Sequence, residues 1–165
     1  STMADEQGRP DLSRYVADRP ERLFHVGRLD AQTTGLLLLS NDGELAHRLA
    51  HPSYQVRKTY IAQVGGRVPP GLGRTLRNGV ELSDGSVVVD AFSVRESAAQ
   101  ASLVEITLHE GRNHIVRRLL DHVGHPVTRL SRTRLGPIHL GNLKPGQTRV
   151  IGGVELGHLM SAVGL

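Results

Sequence analysis

A chain of 165 residues, 38% of them hydrophobic and none of them cysteine, is long enough to bury a core, and it excludes a disulfide framework or a cysteine-ligated metal site. Its longest apolar run, residues 36–39, falls far short of the roughly 18 residues that cross a bilayer. The polar opening at 1–18 lacks the pattern of a secretory leader, so a cytoplasmic protein without a membrane partner is expected.

The net charge of +4 and pI ≈ 10.1 suit a polyanionic partner. All the basic residues except Lys58 and Lys144 are arginine, whose planar fork fits phosphates and base edges. A genome of biased base composition would give the same excess, so charge addresses partners rather than mechanism. The five aromatic residues, Tyr15, Phe24, Tyr54, Tyr60 and Phe92, are too few for a binder that stacks base after base.

In chain order, residues 1–20 lack periodicity and read as a loop with one short helix near 11–16. GLLLLS (35–40) is an apolar run between turn residues, the pattern of a strand buried on both faces. Asn41-Asp42-Gly43 breaks it, and residues 44–50 continue as a helix with Leu45 and Leu49 at i, i+4, ended by His51-Pro52. VRKTYIAQV (56–64) is β-branched and aromatic enough for a strand. Glycine and proline at 65–73 mark a loop or a subdomain seam, and Ser83-Asp84-Gly85 marks a hairpin within 79–94.

In 102–109, Val104, Ile106 and Leu108 share one strand face. After Gly111, NHIVRRLLDHV (113–123) is helical: Ile115, Leu119 and Val123 fall at i, i+4, i+8, with Val116 and Leu120 alongside. Gly124-His125-Pro126 stops that helix, residues 127–140 are extended, and 155–163 form a last helix. Strands outnumber helices without alternating with them. The expected fold class is α+β, one domain over 1–165 with a mixed, largely antiparallel sheet flanked by helices and loops.

Asp30 stands between Arg28-Leu29 and a small polar loop, just ahead of four leucines. Taken singly, such an aspartate is a turn or cap residue. Tyr60 is an ordinary half-buried strand tyrosine, and Arg117 and Arg118 are the solvated side of a helix. The combination reads differently. VGRLD (26–30), then TGLLLLSNDGELAHRLAHP (34–52), VRKTY (56–60) and EGRNHIVRRLLDHVGHPVTRLSRTRLGPIHLGNLKPG (110–146) together resemble the pseudouridine synthases, most closely the RsuA/RluB branch that modifies ribosomal RNA. The resemblance spans essentially the whole chain.

It implies the pseudouridine synthase catalytic fold and conversion of a specific uridine to pseudouridine in ribosomal RNA, with 23S favoured over 16S. The partner would be assembling ribosomal particles, the state a monomer, and cofactor and metal none. Matched residue by residue, Asp30 takes the place of the catalytic aspartate. Tyr60 takes that of a tyrosine that stacks on the uracil and is a candidate for handling a proton. Arg117 matches the arginine that pairs with the carboxylate, Val116 an aliphatic residue against the tyrosine, and Arg28 an arginine that enters the space left by a displaced base. Lys58 shares the strand motif with Tyr60. Arg112, Asn113, Arg118, Arg132 and Arg134, with Arg129, are candidates for RNA contact; strand alternation puts 129 on the face opposite 132 and 134.

The chemistry suits these types. Cleaving the N1–C1′ bond puts positive character on the ribose, which a carboxylate stabilises or traps. A paired cation keeps that carboxylate ionised, apolar and aromatic faces hold the freed base away from water, and a stacked uridine must first be flipped out. On this reading the leucine strand is what holds Asp30 still.

Three departures from the family pattern stand out. His114 and Ile115 occupy positions usually held by Arg-Gln, and Leu119 replaces a methionine, which bears on RNA contacts and target choice. Family members also carry an N-terminal S4-type RNA-binding domain and a Lys-Pro first strand. The chain begins downstream of both, so an N-terminally incomplete catalytic domain with weak RNA affinity is expected. Two rival readings remain. One is a non-catalytic ribosomal RNA-binding module that kept the fold. The other is a metal hydrolase built on His47/His51 and His122/His125, for which no HExxH motif exists and in which His51 and His125 each precede a proline.

Overall fold

The computed structural model describes residues 23–165; the helix expected near 11–16 lies outside them. The described chain opens with three short strands, β1 (Phe24–Val26), β2 (Thr33–Gly35) and β3 (Leu38–Ser40), followed by helix α1 (Gly43–Ala50). The single leucine strand expected at 35–40 is in fact divided. β3 pairs antiparallel with β1, whereas β2 turns the other way to run parallel to a distant strand. Burial alternates along the run, with Leu36 and Leu38 inside and Leu37 and Leu39 half-exposed.

The division falls at Gly35. Its φ is +112°, and a Cβ there would stand 2.2 Å from the carbonyl oxygen of Arg132. Only glycine lets the two backbones touch and the chain change sheets at that point. Asp42 then caps α1 by accepting from the Leu45 amide at 3.1 Å, and Leu45, Ala46 and Leu49 bury one helix face. His51 ends the helix and a 3₁₀ turn follows at Pro52–Tyr54.

β4 (Lys58–Gly65) is followed by α2 (Leu72–Asn78), the hairpin β5 (Val80–Leu82) and β6 (Gly85–Val87), and two long strands, β7 (Ala91–Ser97) and β8 (Ala101–Leu108). Then come α3 (Ile115–His122), β9 (Val127–Leu135), β10 (Ile138–His139) and α4 (Gly153–Ser161). The main sheet runs β10-β9-β4-β8-β7, antiparallel throughout, with β2 added in parallel to β9. This is the α+β, largely antiparallel arrangement expected.

Helix α2 was not foreseen: residues 65–73 read as a loop or seam, yet the helix begins within that stretch at Leu72. It is only about two turns long, has glycine in its first turn, and is bounded by Gly71 and Gly79, both at positive φ. Only Leu72 and Leu76 reveal its buried side, too few to display a period.

Two apolar cores flank the site. The larger lies on one face of the sheet, where Ala62, Val64, Val104, Ile106 and Leu108 meet Leu72 and Leu76 of α2 and Ile115, Val116, Leu119 and Leu120 of α3. Burying each large aliphatic side chain fully contributes about 1.5–3 kcal/mol. The smaller joins Val26, Leu36 and Leu38 to Leu45 and Leu49 of α1, Leu135, Ile138, and Leu159 and Val163 at the C-terminal end.

A bulge in β9 sets the geometry between them. Opposite β4, Tyr60 faces Arg132, Thr59 faces Arg134 and Lys58 faces Leu135, so Thr133 is the extra residue. The bulge returns Leu135 to the face of Arg132 and sends Arg134 to the other one. The grouping of 132 with 134 from strict alternation is thereby corrected.

Candidate active site

Between the two cores opens a cleft of about 920 Å³. Its walls come from five separated stretches: the 26–31 loop with Thr33, the end of α1 at Leu49 and Ala50, the start of β4, the 110–117 segment entering α3, and β9. Of the residues singled out in the sequence, Arg28, Asp30, Lys58, Tyr60, Arg112, Asn113, Val116, Arg117 and Arg132 line it together. Arg118 and Arg134 do not.

Asp30 sits on the loop between β1 and β2. Leu29 beside it is buried, and the Asp30 carbonyl accepts from the Thr33 amide at 2.9 Å, closing a turn just before β2 joins the sheet. The carboxylate itself is about one-third exposed at 32%. The backbone of this loop is thus tied to a core on one side and to a sheet on the other, while its carboxylate faces open space.

The partner beside that carboxylate is not the one expected. His114 Nδ1 lies 3.2 Å from Asp30 Oδ2. Among the described residues no ion pair joins Asp30 to Arg117. Arg117 reaches the same loop differently, donating from Nη2 to the carbonyl of Gln32 at 2.9 Å. Its Nε and the Thr33 hydroxyl are buried in the cleft wall without a hydrogen-bond partner among the described residues.

Tyr60 and Lys58 continue the inward stripe of Ala62 and Val64 past the end of the core, which is why they form the cleft floor. Burial pushes the Tyr60 phenol up; Arg132 opposes this by its charge and by hydrogen bonding, and Asp30 adds to the rise. The phenol therefore keeps its proton. Burial pushes the Lys58 ammonium down, Arg132 adds to the fall, and Glu110 opposes it.

Arg132 is 3% exposed, and its Nε and Nη2 donate to the Leu36 carbonyl at 3.0 and 2.8 Å. The Leu36 amide in turn donates to the Arg132 carbonyl at 2.8 Å. Arg132 is thus a buried brace between β9 and the leucine run rather than a free arm toward RNA.

Two further candidates are also occupied. Arg112 donates to Glu110 at 2.5 Å, to the carbonyl and side chain of Asp84 at 3.0 and 3.1 Å, and to the Ser86 carbonyl at 2.8 Å. Arg118 donates to the Asn113 carbonyl at 3.0 Å and to Asp84 at 2.9 Å. Together they clasp the β5–β6 turn, and Arg118 above all holds the Asp84 carboxyl below the usual carboxylate range.

Arg134 bonds the Gly136 carbonyl at 2.8 Å, and Arg129 is exposed on β9. Of the paired histidines, His51 bonds Ser53 and His125 bonds the Gly65 carbonyl at 2.9 Å. The functional neighbours that sequence reasoning missed are His114 as the contact of Asp30, Glu110 beside Lys58, and the carbonyl of Gln32. Only His114 left a trace in the sequence, as a departure from the motif.

A family model described as RNA pseudouridylate synthase matches residues 2–122. An uncharacterized RNA pseudouridine synthase of Mycobacterium tuberculosis is 56% identical over 168 residues, covering 100% of this chain and 66% of its own length. A protein of Bacillus subtilis named ribosomal large subunit pseudouridine synthase B is 38% identical over 151 residues, covering 90% of this chain and 62% of itself. The chain thus spans about two thirds of the length of the curated relatives it matches. A solved structure titled as a pseudouridylate synthase superposes with a TM-score of 0.78 at 29% identity, covering 91% of this chain and 65% of that one.

Proposed function

Because this chain belongs to the RNA pseudouridylate synthase family, we propose that it converts a uridine of ribosomal RNA, in the large subunit (23S) rather than the small, into pseudouridine. The name of the Bacillus subtilis relative supports the large-subunit choice. The single observation that carries the reading is Asp30: a carboxylate on an anchored loop, facing an open cleft, with the His114 imidazole at 3.2 Å and Tyr60 on the floor.

In this reading the uridine is flipped into the cleft. Asp30 stabilises or captures the electron-poor C1′ as the N1–C1′ bond breaks. The freed uracil turns against Tyr60 and Val116, C5 bonds C1′, the proton leaves C5, and N1 gains one. Substrate and product contain the same atoms, so no redox or group-transfer cofactor is called for. The buried, unpartnered Arg117 Nε and Thr33 hydroxyl in the wall give the incoming nucleotide polar groups to meet. Arg28, exposed at the rim, is free to fill the gap the base leaves. The bound state would be a monomer on a ribosomal particle in the cytoplasm.

Since C5 loses its proton, ribosomal RNA carrying [5-³H]uridine releases tritium to water on turnover. The wild-type protein is expected to release it, and Asp30→Asn to be slower by at least about 10³-fold, as for other removed nucleophiles. A module that kept the fold but only binds RNA would release none with either protein, and that result would overturn the reading.

A further inference from the structure

His114 is one of two non-glycine residues at positive φ among those described, with φ 53° and ψ 30°. Histidine tolerates this left-handed conformation better than most residues, but it persists only where the surroundings impose it. The residue sits at the N-cap of α3, where a side chain ordinarily accepts from the first turn of its own helix. That of His114 makes no such bond. Local capping therefore does not account for its orientation.

The imidazole is directed instead across the cleft, with Nδ1 3.2 Å from Asp30 Oδ2. The arginine that the family pattern would put there, Arg117, is one turn further along α3 and holds the loop backbone through the Gln32 carbonyl. The two side chains divide the work: Arg117 fixes the main chain two residues after Asp30, and His114 fixes the carboxylate. Among the described residues the contact is to Oδ2, and none is made by Oδ1.

Resting on the proposed uridine isomerisation, we propose that His114 is the positioning residue for Asp30, engaging Oδ2 so that Oδ1 is presented to the ribose carbon. The twist at 114 brings the imidazole to the carboxylate; an ordinary helical φ would not put the ring there. His114 is half-exposed in the cleft wall, so its effect on the chemical step is separated from any effect on RNA affinity by comparing kcat with KM.

The test uses His114→Gly, because glycine is at ease at this φ and deletes only the ring. Tritium release from ribosomal RNA is measured for wild type, His114→Gly and Asp30→Asn, with and without free imidazole, beside a thermal melt of each. The expected result is a melting temperature no lower than wild type, KM within about twofold, and kcat down about 10- to 100-fold, the scale of losing an outer partner of a reacting group. Imidazole should restore part of kcat in His114→Gly and none in Asp30→Asn. His114→Asn, also tolerated by the left-handed backbone, carries its amide Nδ2 as many bonds from Cα as the ring Nδ1, and should keep more of kcat than His114→Gly.

A wild-type kcat in His114→Gly, a loss there that imidazole leaves untouched, or a His114→Asn no better than His114→Gly overturns the assignment. If wild-type protein itself releases no tritium, the uridine reading has failed and this assignment falls with it. The two failures are therefore told apart by the wild-type lane.

Discussion

At the scale of single residues, Lys58 shows how the cleft trades stability for charge. Burial and the neighbouring Arg132 depress its folded pKa, so at neutral pH the folded state carries a cation it would rather shed. Stability from this group is lacking below the depressed value and recovers as pH rises toward the ordinary lysine range, where the unfolded chain also loses its proton. Lys58→Met should therefore raise the melting temperature at pH 7, with an advantage that shrinks as the pH approaches 10.5, while RNA affinity falls. Melts at the two pH values together with filter binding check both halves. Tyr60 has the opposite sign: its raised phenol favours the folded state until the pH climbs through the folded value.

Asp30, Tyr60 and Lys58 were singled out through the family resemblance, and the cleft brings all three together. The partner of Asp30 was not foreseen. The ring of His114 reaches the carboxylate through a left-handed φ that no periodicity encodes, and the matching arginine spends its donor on a carbonyl.

Among the elements, β9 and the leucine run are the pair that builds the site. Helix α3, β4, β8 and the hairpin turn could all be read from their apolar patterns, because each buries one face of a regular element. The division of the leucine run could not, since it depends on where another backbone crosses. Gly35→Ala would drive a methyl into the Arg132 carbonyl at a φ that alanine avoids. The expected cost is roughly 2–5 kcal/mol, combining strain and overpacking. It would appear as a lowered urea midpoint at unchanged slope. The bulge at Thr133 was hidden for the same reason: two-residue alternation puts 132 and 134 together, and one inserted residue separates them.

For the molecule as a whole, the cleft is the seam between two cores, and its walls are drawn from stretches up to a hundred residues apart in the chain. That it gathers Arg28, Lys58, Arg117 and Arg132 gives the excess of arginine a location that composition alone could not. RNA binding should weaken steeply with salt as counterions are released. Arg28→Ala should reduce the slope of log affinity against log salt by about 1, whereas Arg74→Ala on α2, away from the cleft, should leave it unchanged. Equal slopes for Arg28→Ala and wild type would move the RNA path elsewhere.

The guanidinium of Arg132 has one more implication. It lies under the cleft almost sealed from solvent, and is answered by a carbonyl dipole and a phenol rather than by a carboxylate among the described residues. A guanidinium answered by dipoles alone directs its field into the cleft above it. A polyanion bound there should therefore raise the melting temperature of the protein, so that its ligand would also be a brace.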